Sequence, residues 1–246
     1  MVASTLVIQM VDGLAKHLSA GYSPLFIGWA RYAAASLIVV PYAALLHGWR
    51  IFPAERTSSH ILRTVLLVTA MTLYFMAIAH IPLAAAISAY FVARPQSGVD
   101  PGILLAIGGS IAYALYMVVT RRMALISHPL KTLVFQCVAG MVLLTPQALL
   151  TWTTPALADL PAFLGLGLLS LLAHFMLIAA FRLAETSVLA PLVYVELIGA
   201  ALIGYVAFGE VPGPATWAGA ALIVAAGMLV LIRRKDAVPA VDEPVA

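Results

Sequence analysis

Long apolar stretches of about 20 residues recur along the whole chain, and they constrain the fold more than any other feature. The chain is 63% hydrophobic and 9% charged, with a mean hydropathy of +1.06, whereas soluble domains carry about 25% charged residues. About 20 apolar helical residues cross the roughly 30 Å of membrane hydrocarbon. Because the alternating strands of a barrel are absent, helices must satisfy the backbone in lipid. The sequence predicts an all-α, polytopic helical membrane protein.

Prolines, glycines and charged residues between the apolar stretches set the predicted helix boundaries. Eight full spans are predicted over residues 2–20, 24–47, 61–80, 103–122, 129–151, 161–182, 187–209 and 214–232. One further apolar segment, residues 82–93, reaches only about 18 Å as a helix and is therefore predicted not to cross. Residues 94–102 are predicted to form a loop outside the membrane, and residues 233–246 a charged cytoplasmic tail.

The spacing of prolines indicates an internal repeat. Pro24 and Pro41 are followed by Pro129 and Pro146 at a constant offset of 105 residues. A repeat of this kind marks a duplicated unit. The two units are residues 1–93 and residues 103–232. The second continues for 36 residues beyond the point at which the first stops, so the first unit is predicted to lack most of its fourth helix and all of its fifth.

Basic residues predict the orientation in the membrane, because Lys and Arg accumulate in cytoplasmic loops. They cluster at three places that should share one side: Arg50, Arg56 and Arg63; Arg121, Arg122 and Lys131; and Arg233, Arg234 and Lys235. This arrangement puts both termini in the cytoplasm and requires that residues 82–93 do not cross. The protein is predicted to reside in the inner or plasma membrane of the cell.

Three short motifs resemble the EamA-type proteins of the drug/metabolite transporter superfamily. They are Lys16–Pro24–Arg31, the run Phe181-Arg182-Leu183-Ala184-Glu185-Thr186-Ser187, and Phe208-Gly209-Glu210. The resemblance implies ten helices in two inverted five-helix repeats around a central cavity. This chain departs from that plan between Ala93 and Arg94, where the missing helices would lie.

The first predicted helix carries a polar stripe. Gln9, Asp12 and Lys16 follow one another at spacings of three and four residues, which places them on one helix face. Asp12 and Lys16 can pair across one turn. One interpretation is therefore a neutralised pair with Lys16 snorkelling to the outer interface. The other is a cavity wall that contacts a polar substrate.

Glu196 and Arg31 are ionisable residues within predicted spans, where such residues are costly and often functional. Glu196 is expected about 13 Å from either end of its helix, too deep for snorkelling, so a cavity or proton-coupling role is favoured over a structural hydrogen bond. Gly199 and Ala200 share its face and predict the close approach of another helix or room for a ligand. Arg31 lies seven residues into its span and either snorkels, forms an ion pair or attracts an anionic group.

His174, Tyr113 and Tyr116 are weaker candidates for a cavity. For His174, a neutral core histidine with a hydrogen bond is favoured over a ligand-binding role. The two tyrosines lie on one stripe with Gly109 and Thr120, and they either line a cavity or pack with an interfacial hydroxyl group.

No catalytic, phosphate-binding or metal-ligand motif occurs in the sequence, so no enzyme activity, cofactor or metal is predicted. The net charge of +3 follows from membrane topology and does not indicate nucleic-acid binding. The sequence predicts a secondary transporter of a small polar metabolite, with binding near the membrane midplane. The alternative is a shortened membrane protein that does not transport. A homodimer, in which a second copy fills the gap, is also left open.

Overall fold

A computed structural model describes residues 1–48, 51–53, 56–78, 101–184, 189, 192, 195–211, 213, 217 and 221. Within these residues the fold is all helical. The helices are α1 (Val2–Leu18), α2 (Pro24–His47), α3 (Thr57–Ile78), α4 (Pro101–Ala124), α5 (Pro129–Leu150), a 3-10 turn (Leu157–Asp159), α6 (Leu160–Leu183) and α7 (Val195–Phe208). Five helical segments are long and apolar enough to cross a membrane. The large aliphatic side chains on their outer faces are exposed, as a lipid environment requires.

The prolines of the repeat occupy matching positions in the structure. Pro24 and Pro129 both lie in the first turn of a helix, while Pro41 and Pro146 lie inside the same two helices. Proline suits the first helical position because the N–H that it lacks would have no partner inside the helix. The predicted start of both helices is confirmed, whereas the inverted relation of two repeats and the count of eight spans stay predictions.

Two predicted boundaries were wrong. Helix α3 begins at Thr57, four residues earlier than expected, so Arg63 lies in its second turn and not at its start. Helix α4 begins at Pro101, within the predicted loop. Helix α7 is described over Val195–Phe208, and the predicted start of this span at residue 187 stays a prediction. The predicted segment 82–93 and most of 214–232 lie outside the described residues.

Contacts between helices fix their relative directions. Gln9 of α1 contacts Gly199, and Lys16, which follows Gln9 along α1, contacts Glu210, which follows Gly199. Residue numbers therefore increase in the same direction on both sides of the contact, so α1 and α7 are parallel. Helices α3 and α4 are antiparallel, because a Cβ atom on Gly109 would lie 3.1 Å from the Ala70 carbonyl oxygen while Arg63 lies over the Tyr116 ring. An antiparallel pair requires an even number of crossings between its members, which agrees with a segment that does not cross between α3 and α4.

Three of the closely packed helix pairs map onto one another when the two units are exchanged. Helix α1 packs against α6, α3 packs against α4, and α2 packs against α5. With α1, α2 and α3 equated to α4, α5 and α6, the pair α1–α6 becomes α4–α3, and the pair α2–α5 becomes itself. The sequence repeat is thus matched by a repeat in packing.

Small residues let the helices approach closely, as is common in membrane bundles. A Cβ atom added to Gly167 would lie 2.6 Å from the Ala34 Cβ and 2.7 Å from the Ala35 backbone nitrogen, so α6 nearly touches the α2 backbone. A Cβ on Gly199 would lie 2.8 Å from Gln9 Cγ. The sequence prediction of a close helix contact at Gly199 is therefore confirmed.

Two glycines on one helix give a matched test of this packing. Gly167→Ala is expected to destabilise the protein by about 1–3 kcal/mol, because the new methyl group overlaps backbone atoms that cannot move independently. Gly165→Ala on the same helix should leave stability unchanged or raise it, since its Cβ would meet only Leu14 Cδ1 at 3.6 Å and alanine favours helix. Thermal unfolding of the purified variants in detergent measures both changes. Equal melting temperatures for the two variants would show that the α2–α6 contact is looser than described.

Candidate functional site

A small cavity between α1, α3, α4 and α7 brings together four of the predicted site residues. We call it the acidic cavity because two carboxylates line it. Its volume is about 20 Å³, enough for a water molecule. It is lined by Ile8, Gln9, Asp12, Met71, Tyr74, Tyr113 and Glu196. Two residues of the polar stripe on α1, Gln9 and Asp12, therefore line the same cavity as Glu196.

The acidic cavity is rich in hydrogen-bond acceptors. The side chains of Asp12 and Gln9 are buried, with 4% and 1% of their surface exposed, and Glu196 is partly exposed. Tyr74 lies close enough to the Asp12 carboxylate to interact with it. The Gln9 Oε1 atom is buried and has no hydrogen-bond partner among the described residues. Carboxylates and an amide oxygen facing one space favour a cation or a multiple donor there.

A second cavity, of about 10 Å³, lies between α2, α5 and α6, and we call it the basic cavity. It is lined by Arg31, Tyr32, Ala35, Leu133, Gln136, Cys137, Ser170, Leu171 and His174. Arg31 is only 2% exposed, so it does not snorkel to the interface. Its guanidinium group lies over the Tyr32 ring at 4.6 Å and donates from Nη1 to Met71 Sδ at 3.4 Å.

A second buried arginine, Arg63, holds a residue that lines the basic cavity. Arg63 is fully buried in α3 and donates from Nη2 to Gln136 Oε1 at 2.6 Å and to the Thr132 carbonyl oxygen at 3.1 Å. Its guanidinium also lies 5.6 Å from the centre of the Tyr116 ring. Arg63 was missed because it lies near the predicted start of its span, where a basic residue fits a topology signal.

His174 has the hydrogen bond that the sequence favoured. Its Nδ1 lies 2.9 Å from the Ser170 carbonyl oxygen. A carbonyl can only accept, so Nδ1 carries the proton, and Nε2 of the neutral ring is an acceptor. That nitrogen is buried and has no partner within the described part of the chain. The prediction of a hydrogen-bonded histidine is confirmed, and the same side chain also lines the basic cavity.

The two cavities share a wall. Met71 lines the acidic cavity and accepts the hydrogen bond from Arg31, which lines the basic cavity. Tyr113 lines the acidic cavity and stacks on Tyr116 with ring centres 5.6 Å apart, and Tyr116 in turn lies 6.4 Å from the His174 ring. One thioether and one tyrosine pair therefore separate the two spaces.

Two predicted site residues, Lys16 and Tyr116, line neither cavity. Tyr116 packs against lining residues of both, whereas Lys16 lies elsewhere. Its ammonium group lies 2.5 Å from Glu210 Oε1, and it also lies 5.4 Å from the centre of the Phe208 ring. Lys16 was expected to pair with Asp12 or snorkel, but this ion pair joins the ends of α1 and α7 instead. A partner 194 residues away in sequence cannot be found from helix spacing alone.

Ionisable groups outside the spans stabilise the ends of the bundle. Tyr22, between α1 and α2, donates to Asp159 Oδ2 at 2.6 Å, and this hydrogen bond raises the pKa of the tyrosine. At the opposite end, His128 accepts from the Leu130 backbone nitrogen at 3.3 Å and caps α5. Burial and the neighbouring His47 lower the pKa of His128, which keeps Nδ1 available as an acceptor. Among the described residues no group of three or more His, Cys, Asp or Glu side chains is placed to hold a metal ion.

Comparison with known proteins identifies the family. The model of the EamA-like transporter family matches residues 100–232, which is more than half of the chain. The chain belongs to the EamA-like transporter family. The resemblance seen in its motifs is thereby confirmed, and membership together with the apolar helices makes it an integral protein of the cell membrane.

Relatives of this EamA-like protein are named as transporters. It is 24% identical to the S-adenosylmethionine uptake transporter of Rickettsia bellii over 262 aligned positions, which cover 92% of this chain and 90% of that protein. It is 23% identical to the riboflavin transporter of Vibrio cholerae, over 91% of this chain and 89% of that protein. A chain of known crystal structure superposes with a TM-score of 0.66 at 19% identity, covering 94% of this chain and 99% of the other. These names indicate a transporter of the drug/metabolite type and not an enzyme.

The alignment with the Rickettsia bellii protein is longer than this EamA-like chain itself. The aligned 92% of the 246 residues is spread over 262 positions, so about 36 positions of the relative have no counterpart here. The difference equals the length by which the second sequence unit exceeds the first.

Proposed function

We propose that this protein is a secondary transporter that moves a small polar metabolite across the cell membrane by alternating access. The observation that carries the proposal is the pair of adjoining cavities, which gathers Gln9, Asp12, Glu196, Arg31 and His174 inside an apolar bundle. Ionisable residues are expensive in a membrane and mark substrate or ion pathways. Family membership supplies the reaction class, and the cavities supply buried polar side chains for a substrate to contact once the helices move apart.

Both cavities lie between the two proposed repeats. The acidic cavity is lined by α1 and α3 from the first unit and by α4 and α7 from the second, and the basic cavity by α2 on one side and α5 and α6 on the other. Transporters of inverted-repeat design bind substrate at the repeat interface and move one repeat against the other. The three helix pairs that map onto one another when the units are exchanged support this design. The division into residues 1–93, 94–102, 103–232 and 233–246 remains part of the proposal.

The missing segment of the first repeat favours a second candidate function. About 36 positions of the relative without a counterpart support the interpretation that two helices of the family plan are absent. A chain without them could retain the fold and lose the transport pathway. The shortened, non-transporting protein is therefore the alternative that any functional test must exclude.

We propose that both termini are cytoplasmic. Arg56, Arg121, Arg122, Lys131 and Arg182 all lie at the bundle end that contains the α2–α3 and α4–α5 connections, and basic residues favour the cytoplasmic side. In a Cys137→Ala background, Ser97→Cys should react with an impermeant thiol reagent added to intact cells, whereas Ser58→Cys should be protected. Reaction at position 58 with protection at position 97 would reverse the orientation.

Uptake by proteoliposomes that contain the purified chain tests the proposed function. S-adenosylmethionine and riboflavin are the first substrates to try because relatives are named for them, followed by a panel of polar metabolites. We expect saturable uptake of at least one compound above empty liposomes. Correctly inserted protein that moves none of them would favour the non-transporting alternative.

A further inference from the structure

We propose that the bundle end with the α2–α3 and α4–α5 connections carries a binding site for the headgroup of an anionic phospholipid. Four basic side chains form the site, and we call them the surface cluster: His47, His128, Lys131 and Arg182. The phosphate binds among these side chains, and the acyl chains lie along the exposed apolar surface beside them. The inference concerns the surface of the bundle and does not rest on the proposed transport function.

The ends of three helices bring the surface cluster together. Helix α2 ends at His47, and α5 begins directly after His128. The rings of these two histidines lie 5.3 Å apart, measured between their centres. Lys131 lies in the first turn of α5, and Arg182 lies in the last turn of α6. Residues that are far apart in the sequence therefore meet at one end of the bundle.

The surface cluster carries positive charge that the described residues do not balance. Partial burial of the ring, followed by the positive charges of His47, Arg182 and Lys131, lowers the pKa of His128. Neither Lys131 nor Arg182 forms an ion pair within the described part of the chain. Among the described residues at this bundle end there is no acidic side chain. An anion is therefore the ligand that the cluster favours.

His128 and Arg182 both offer hydrogen-bond donors to a phosphate. His128 Nδ1 accepts from the Leu130 backbone nitrogen at 3.3 Å, so the proton of the neutral ring is on Nε2. The His128 side chain is exposed, which leaves this N–H available for a phosphate oxygen. Arg182 is also exposed, and a guanidinium group can donate to phosphate through two parallel N–H groups.

Exposed leucines beside the surface cluster favour a lipid over a soluble phosphate. Leu45 and Leu46 precede His47 in α2, with 86% and 58% of their surface exposed, and Leu183 follows Arg182 with 87% exposed. A phospholipid matches both parts of this surface, because it joins a phosphate to apolar chains. Basic clusters between membrane helices bind anionic headgroups in this way.

The bound lipid should stabilise the bundle. Helices α2, α5 and α6, which contribute the surface cluster, also line the basic cavity. A headgroup that contacts the ends of all three holds them together by binding the folded state and not the unfolded chain. With both termini in the cytoplasm, as proposed above, the site faces the inner leaflet.

Lipid binding to the purified, delipidated protein tests the inference. Dioleoylphosphatidylglycerol is compared with dioleoylphosphatidylcholine, which has the same acyl chains and no net charge, and with inorganic phosphate, which has no acyl chain. Native mass spectrometry counts the lipids that stay bound, and thermal unfolding measures the stabilisation. We expect a single phosphatidylglycerol to bind about tenfold or more tightly than phosphatidylcholine, and inorganic phosphate at the same concentration to leave the melting temperature unchanged.

Two results would overturn the inference. Equal affinity for the two lipids would show that charge at this end does not select the headgroup. Stabilisation by inorganic phosphate equal to that by phosphatidylglycerol would identify a site for soluble anions. Neither result bears on transport, which the uptake assay measures separately.

Two variants and a matched control place the lipid at the surface cluster. Arg182→Gln and Lys131→Gln should each weaken binding of phosphatidylglycerol about fivefold, the effect expected of one basic side chain near a membrane surface. Arg122→Gln is the control, since Arg122 is exposed at the same bundle end but belongs to α4. It should change the affinity by less than about twofold. An equal loss in the control and in both cluster variants would show that the lipid responds only to overall charge, and would refute the site.

Discussion

Glu196→Gln is expected to abolish the pH dependence of substrate uptake while the protein remains folded and inserted. Glutamine keeps the size of the side chain and loses the proton that a carboxylate exchanges. Glu196 lines the acidic cavity with Asp12, and Gln9, Tyr74 and Tyr113 face the same space. Uptake at the optimal pH should fall about tenfold or more, equal to about 1.4 kcal/mol in the barrier. Uptake by proteoliposomes across a pH series measures the effect.

Glu210→Gln is the matched control for Glu196. Glu210 is also a carboxylate associated with α1 and α7, but it pairs with Lys16 and does not line either cavity. Both members of this pair are partly exposed, with 15% and 22% of the side-chain surface accessible, and such pairs contribute little. The control should keep its pH dependence. An unchanged pH profile in Glu196→Gln would rule out a coupling role for this residue.

Restoring the missing helices is expected to raise both folded yield and transport rate. The insert would contain about 36 residues between Ala93 and Arg94, with a sequence based on residues 197–232 and re-oriented for the opposite topology. In the family plan, the missing helices of the first unit correspond to α7 and the residues after it in the second unit. Without them, we expect one side of the cavity to face lipid or a second copy of the chain. Monodisperse yield in detergent and initial uptake rates measure the change.

A scrambled insert of the same length and hydropathy is the control for that experiment. The scrambled insert should not improve folded yield or transport rate, because we expect the benefit to come from specific packing against neighbouring helices and not from added apolar length. Light scattering of the unmodified protein reports whether a homodimer fills the gap. Rapid transport by a demonstrably monomeric native chain would show that the missing segment is dispensable.

Local chemistry made part of this fold predictable. Pro24 and Pro129 determine where α2 and α5 begin because proline is best tolerated in the first turn of a helix. The polar stripe on α1 indicated the face that meets the acidic cavity, since helical spacing alone decides which residues share a face. Gly199 identified the close contact between α1 and α7 for a steric reason, because a residue without a side chain lets another helix approach.

Residues whose role depends on distant partners were not predictable. Arg63 was assigned to the edge of a loop, because a basic residue at the end of an apolar stretch is ambiguous between the interface and the interior. Its partner Gln136 lies 73 residues away. Lys16 was paired with the nearest carboxylate along its own helix, although Glu210 is the residue that the fold brings beside it.

Counterflow in proteoliposomes tests the central claim most directly. Liposomes that contain the purified chain are loaded with unlabelled substrate and diluted into a trace of the labelled compound, so that labelled molecules can accumulate only by exchange through one alternating site. The account predicts a transient overshoot of internal label above equilibrium, which Glu196→Gln and Arg31→Gln reduce and Glu210→Gln preserves. Equilibration of the label without an overshoot would contradict alternating access. Entry of label no faster than into empty liposomes, with protein shown to be folded and inserted, would identify the chain as a shortened, non-transporting member of its family.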